Sequence, residues 1–136
     1  MKFQSPSMDQ WLKEAKADPN APNVGMYLIH NGTVRRTARA AVRDGKPDTA
    51  PVTAMEFSYD PEAVEAAVAY TRRMDGVHYV RVWLNQGRLD VGDDIMYILI
   101  GADIRPHAVD ALQQLVGEIK AHCVCETEVC CPQGQF

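Results

Sequence analysis

The sequence predicts an α+β domain in which helices pack on a largely antiparallel sheet. Three observations carry this reading. The chain has 136 residues, 46% apolar and 24% charged, which suits one globular core. Its elements fall in the order α-β-β-α-β-β-α, with strands in pairs rather than alternating singly with helices. Helix starts are marked by capping residues at Ser7 and at Asp60-Pro61.

Each element has a local reason. Ser7 followed by Gln10 has capping-box spacing, so a short helix should run to about Ala17 with Trp11, Leu12 and Ala15 on its apolar side. Residues 18–23, rich in Asp, Pro and Asn, break it and act as a linker. Residues 24–33 read as a strand, 35–51 as a loop and 52–59 as a second strand. Asp60 caps a helix that carries Val64, Ala67, Val68 and Thr71 at helical spacing and stops at Gly76. Residues 77–85 form a strand, Gln86-Gly87 a turn, and 94–101 a buried strand. The last helix should span 106–122, with Val109, Leu112, Val116 and Ile119 on one face. The expected organisation is one domain over 1–136. It has an N-terminal helix and linker at 1–23, a core at 24–122 and a cysteine-rich tail at 123–136.

Charge and cysteine usage narrow the function classes. A net charge of −4 gives no overall preference for nucleic acid or an anionic membrane. The start, MKFQSPSM, has no apolar stretch of the signal-peptide type, and the longest apolar run, 95–102, is too short to cross a bilayer. The expected location is therefore the cytoplasm, where thiols stay reduced. Clustered cysteines there point to metal, redox or sulfur chemistry more than to disulfides.

Four candidates for chemistry stand out. Residues 35–46 hold five cations (Arg35, Arg36, Arg39, Arg43 and Lys46) and one acid, Asp44. Arginine forks bind phosphate and carboxylate bidentately, though such a run also serves as a solvated loop. Lys120 falls at the edge of the apolar stripe of the last helix. Half-desolvated there, it would have a lowered pKa and act as nucleophile or acid–base group. Alternatively it lays its stem on that stripe, with its ammonium in water near the helix C-terminus. Arg105 stands where a strand hands over to a helix, whose free amides attract anions. Cys123, Cys125, Cys130 and Cys131, with His122 and His107 nearby, could bind a metal, yet lack paired C-x2-C knuckles; a reduced tail without ligand is the plainer alternative. His30 and His78 read as strand packing or surface residues.

Several short motifs recur in an informative order. Gly32-Thr33-Val34-Arg35 precedes the basic loop, and Met55-Glu56-Phe57-Ser58-Tyr59 precedes a helix. Gly87-x-Leu89-x-x-Gly92-Asp93 forms a turn before the buried strand that leads to Arg105, and a helix ends in Lys120. Over roughly residues 25–128 this pattern resembles the large, catalytic subunit of molybdopterin synthase. The resemblance implies that family's α/β hammerhead fold and a place in molybdenum cofactor biosynthesis. It implies sulfur transfer from the C-terminal Gly-Gly thiocarboxylate of a small ubiquitin-like subunit to cyclic pyranopterin monophosphate. It further implies a homodimer within a heterotetramer and no required cofactor. By the same resemblance Lys120 would be the catalytic amine. Arg35 would bind the phosphate or the partner's carboxyl end, and Arg105 would add to that anion site; Arg36 and Arg39 join the anion-binding candidates from the basic run itself.

The departures from the family pattern are specific. Ile104-Arg105 stands where the family has His-Arg, Trp83-Leu84-Asn85 replaces another His-Arg, and Thr127 occupies the place of a second lysine. Two readings follow. One is a sulfur-transferring enzyme in which Cys123, Cys125, Cys130 and Cys131 serve as a sulfur relay through persulfides. The other is a non-catalytic paralogue that binds a partner, pterin or metal through the same fold and its tail.

Overall fold

The computed structural model describes residues 1–43, 45 and 50–130. Helix α1 (Met8–Lys16) starts at Ser7, whose hydroxyl accepts the Gln10 N–H at 3.2 Å. Trp11 and Ala15 are its buried residues, as the spacing predicts. A single 3-10 turn (Ala21–Asn23) leads to β1 (Met26–Thr33). A short helix, α2 (Arg39–Arg43), and then β2 (Val52–Tyr59) follow. Helix α3 (Pro61–Arg72) is capped by Asp60, whose Oδ1 accepts the Glu62 N–H at 3.1 Å. Strands β3 (Val77–Leu84), β4 (Gly87–Asp90) and β5 (Asp94–Ala102) precede α4 (Arg105–Glu118). A π-helical turn (Ile119–Cys123) and β6 (Val124–Cys130) complete the described chain.

The strands form two three-stranded sheets, ordered β1-β5-β3 and β4-β2-β6, and every pairing is antiparallel. The α+β expectation is met. Strand β5 lies at the centre of the first sheet and is covered on both faces. Leu99 packs toward α1 with Trp11 and Ala15, while Ile98 and Ile100 enter the main core. Burial on both faces explains why this strand reads as an unbroken apolar run rather than an alternation. The α1 face is sealed by an edge-to-face contact of Trp11 and Tyr97, with centroids 6.3 Å apart. The Arg81 guanidinium lies 4.4 Å from the Trp11 ring centroid and pairs with Glu14.

Several sequence expectations need correction. The loop expected at 35–51 contains α2; Asp44 and residues 46–49 lie outside the described chain. The buried face of the last helix is Ala108, Ala111, Leu115 and Ile119, rather than the face through Val109, Leu112 and Val116. Alanine is weakly hydrophobic but lets helix and sheet approach closely, so packing selects the alanine stripe. Val109 is left 37% exposed, and Leu112 and Val116 form the half-buried rim. The helix also stops at Glu118, where the π turn takes over.

The largest correction concerns the tail. Residues 124–130 are β6, hydrogen-bonded along β2 from Tyr59↔Val124 to Val52↔Cys130. Cys123 belongs to the main core at 3% exposure. Val124, Thr127 and Val129, three β-branched residues in seven, are the strand signal in this stretch, and the density of cysteines obscures it. The turn before β5 also supplies β4, a strand of only four residues, Gly-Arg-Leu-Asp, anchored by fully buried Leu89. Among the described residues no helix is long and apolar enough to cross a membrane.

Candidate functional site

The site begins where β1 ends. Its pairing with β5 shifts register between Gly32 and Thr33, and the chain is then fastened to the β4–β5 turn. The Val34 N–H donates to the Asp93 carbonyl at 3.0 Å, and the Gly92 N–H donates to the Val34 carbonyl at 2.8 Å. Val34 itself is buried. This fastening delivers Arg35 to the mouth of a pocket. The Arg35 Nε–H donates to the Thr37 carbonyl at 2.8 Å, and the Arg36 carbonyl accepts the Val52 N–H at 2.7 Å. Buried Ala38 anchors the next step, and α2 then places Arg39 and Arg43 one turn apart.

Helix α2 is held from below by β6. The Arg39 backbone N–H donates to both carboxylate oxygens of Glu128, at 3.0 and 3.3 Å. A free N–H at a helix start favours an anionic partner, and Glu128 fills that role. Opposite α2, the π turn carries Lys120. A π turn widens the helix by one residue and changes the direction of the following side chains. Lys120 is exposed, which agrees with the reading of a lysine whose ammonium stays in water and not with the half-desolvated alternative. The stripe against which it was to pack is not the buried one.

Arg35, Arg39, Arg43 and Lys120 all line one cavity of about 420 Å³, together with His30, Thr33, Met55, Met96, Glu126 and Glu128. That volume is typical of a small-molecule site. A shallower groove continues from it over Leu112, Val116 and Gly117, sharing His30, Arg39, Arg43 and Lys120. The His30 pKa is lowered, first by burial and then by the Lys120 ammonium. The imidazole is thereby favoured in its neutral form, able to accept a proton at one nitrogen while donating from the other.

Not every sequence candidate arrives here. The Arg36 side chain is absent from the cavity lining. Arg105 opens α4, in a separate cleft with Gly25, Met26 and Asp103. At about 1.5 Å rise per residue, roughly 20 Å of helix separates it from Lys120. Within one chain it does not join the arginines. Nor do the described cysteines line the cavity. Cys123 is buried, its Sγ 3.7 Å from the Glu118 carbonyl, and burial pushes its thiol pKa up, with Glu118 and Asp60 adding to the shift. Cys125 and Cys130 are exposed on β6; Cys131 lies outside the described residues. Among the described residues no three His, Cys, Asp or Glu side chains gather as a metal site. Thr127 is exposed and pairs with Glu56, while its neighbours Glu126 and Glu128 line the cavity.

Sequence reasoning missed His30, Glu126 and Glu128. For each the available signal was alternation: His30 shares a strand face with Gly32, and Glu126 with Glu128. Nothing local says that those two faces meet.

The arrangement is a cationic pocket with one neutral-leaning imidazole and an acidic wall. A family model described as MoaE protein matches residues 3–122. No curated protein matches significantly. Among solved structures, molybdopterin synthase from Staphylococcus aureus superposes with a TM-score of 0.72 at 14% identity, covering 97% of this chain and 90% of that one. The molybdopterin biosynthesis MoaE protein from Burkholderia ambifaria gives 0.69 at 21% identity, over 94% and 85%. A chain from a protein–protein complex of subunits 1 and 2 of molybdopterin-converting factor from Helicobacter pylori gives 0.63 at 14%, over 93% and 80%. At these identities the superpositions establish a shared fold.

Proposed function

Because this chain belongs to the MoaE protein family, we propose that its task in molybdenum cofactor biosynthesis is the transfer of sulfur to cyclic pyranopterin monophosphate. The donor is the thiocarboxylated C-terminus of a small ubiquitin-like subunit, and the product is molybdopterin. The observation that carries this reading is the convergence of Arg35, Arg39, Arg43 and Lys120 on one small-molecule-sized cavity. The Helicobacter pylori relative is in complex with a second subunit, which supports a small-subunit partner for this chain.

In this reading the arginines hold the substrate phosphate. Their fixed forks match its oxygens in bidentate pairs. Lys120 comes from the opposite side. Its ammonium offsets the negative charge of the incoming thiocarboxylate and holds the sulfur against the substrate, a positioning and charge-stabilising role. His30, kept neutral beside it, is placed to exchange a proton as sulfur is transferred. No cofactor is needed for these roles. The shallower groove past Val116 and Gly117 leads to Lys120 and suits an extended tail with small residues.

A second reading has its own support. Ile104 is 52% exposed where the family pattern has a histidine, and Thr127 faces away from the cavity where it has a lysine. A paralogue that binds partner or pterin without turnover would tolerate both. Single-turnover conversion separates the readings: the cyclic precursor, a thiocarboxylated small subunit and reduced protein are mixed, and dithiolene product is quantified. Product that disappears in Lys120→Ala supports sulfur transfer. Partner binding without product supports the paralogue.

A further inference from the structure

The cavity is lined by charges of both signs. Arg35, Arg39 and Arg43 approach it from one side and Lys120 from the other, and β6 adds Glu126 and Glu128. The two glutamates differ in engagement. Glu128 is occupied by the Arg39 N–H. Glu126 lies beside Phe57 of β2, is half-buried, and takes part in no ion pair among the described residues. A carboxylate set into an anion site weakens anion binding by like-charge repulsion, unless it meets hydrogen-bond donors on the same ligand.

We propose that Glu126 is the specificity residue for the ring end of the substrate. It accepts the ring N–H and the adjacent exocyclic NH2 of a 2-amino-4-oxopyrimidine, while the arginines hold the phosphate at the other end. This rests on the pterin reading above and adds the residue that recognises the ring. The two donors lie side by side on one edge, as in a guanidinium, and match a carboxylate bidentately. The same half-buried acceptor rejects a ring that presents a carbonyl in place of the amine, because two acceptors would then face each other without a proton between them. Glu126 makes the pocket selective for a ligand that is anionic at one end and rich in donors at the other.

The test compares two fluorescent probes, 6-hydroxymethylpterin phosphate and its lumazine counterpart, in which a carbonyl replaces the exocyclic amine. Each is titrated into the wild-type protein, Glu126→Gln and Glu126→Ala, with inorganic phosphate as competitor. The wild type should prefer the pterin by about tenfold or more. Glu126→Gln should abolish or reverse the preference, since its amide can donate to the lumazine carbonyl. Glu126→Ala should level it, and phosphate should compete in all three proteins, which shows an intact pocket. A wild type without preference, or a preference that both variants retain, overturns the role of Glu126 while leaving the pterin reading standing. A wild type that binds neither probe overturns both.

Discussion

The Arg39 backbone N–H is bonded to the Glu128 carboxylate, a contact that spans 89 residues of sequence. It ties the short arginine helix to the strand formed by the last described residues. Glu128→Ala should therefore release α2 and scatter Arg39 and Arg43. A hydrogen bond to a charged group at a helix start contributes about 1–2 kcal/mol. The expected result is a loss of that order in urea unfolding, with a several-fold weaker affinity for a phosphate probe. Wild-type affinity in this variant would show that α2 is held by other contacts.

Arg35 and Arg105 should behave differently in binding. Arg35 lines the cavity and Arg105 lies in another cleft at the far end of α4. Titration of 6-hydroxymethylpterin phosphate should show Arg35→Ala weakening affinity more than Arg105→Ala does. The Arg35 effect should shrink as salt rises, because exposed charges are screened over about 10 Å at 0.1 M. An equal loss in both variants would mean that Arg105 reaches the site from a second copy of the chain.

The thiols should divide by burial. Cys125 and Cys130 are exposed and outside the cavity, so serine at either position should leave single-turnover sulfur transfer unchanged. Cys123→Ser places a hydroxyl in the core and should cost about 1–3 kcal/mol of stability. Loss of turnover in folded Cys125→Ser or Cys130→Ser would restore the sulfur relay that the sequence suggested.

A pH-dependent contact holds the start of α4. His107 Nδ1 lies 2.6 Å from Asp103 Oδ1, and this bond raises the His107 pKa and lowers that of Asp103. The raised histidine stabilises the fold below its ordinary value, and the gain is lost as pH rises through the folded value. The lowered carboxylate stabilises above its ordinary value, and that gain is lost on acidification. The pair should thus stabilise most between about pH 4 and pH 6.5. The difference in Tm between wild type and His107→Ala should be larger at pH 5.5 than at pH 8.5. A difference that does not change with pH would mean that the contact is steric.

Gly76 packs under that pair. Its φ of +74° is a left-handed conformation, and a Cβ there would collide with Asp103 Oδ1 and His107 Nδ1. Gly76→Ala should cost at least about 1 kcal/mol in chemical denaturation. A neutral result would mean that the β3 entry can shift to make room.

Local chemistry was legible in the sequence because its causes are local. Ser7 and Asp60 cap their helices through bonds that reach only two or three residues, and β2 begins and ends at the expected residues. The motif order from Gly32 to Lys120 also carried the family, and the side chains able to bind an anion were visible as arginines and a lysine. Where those side chains meet was decided by the tertiary structure. β6 forms only by pairing with β2 some seventy residues away, and that pairing turns Glu126 and Glu128 inward and Thr127 outward. The alanine face of α4 is buried in place of the valine face because alanine lets helix and sheet approach closely, and Lys120, beyond the helix in the π turn, lines the pocket. Period and capping fix how a segment folds, but which faces come together depends on long-range packing, which no local pattern encodes.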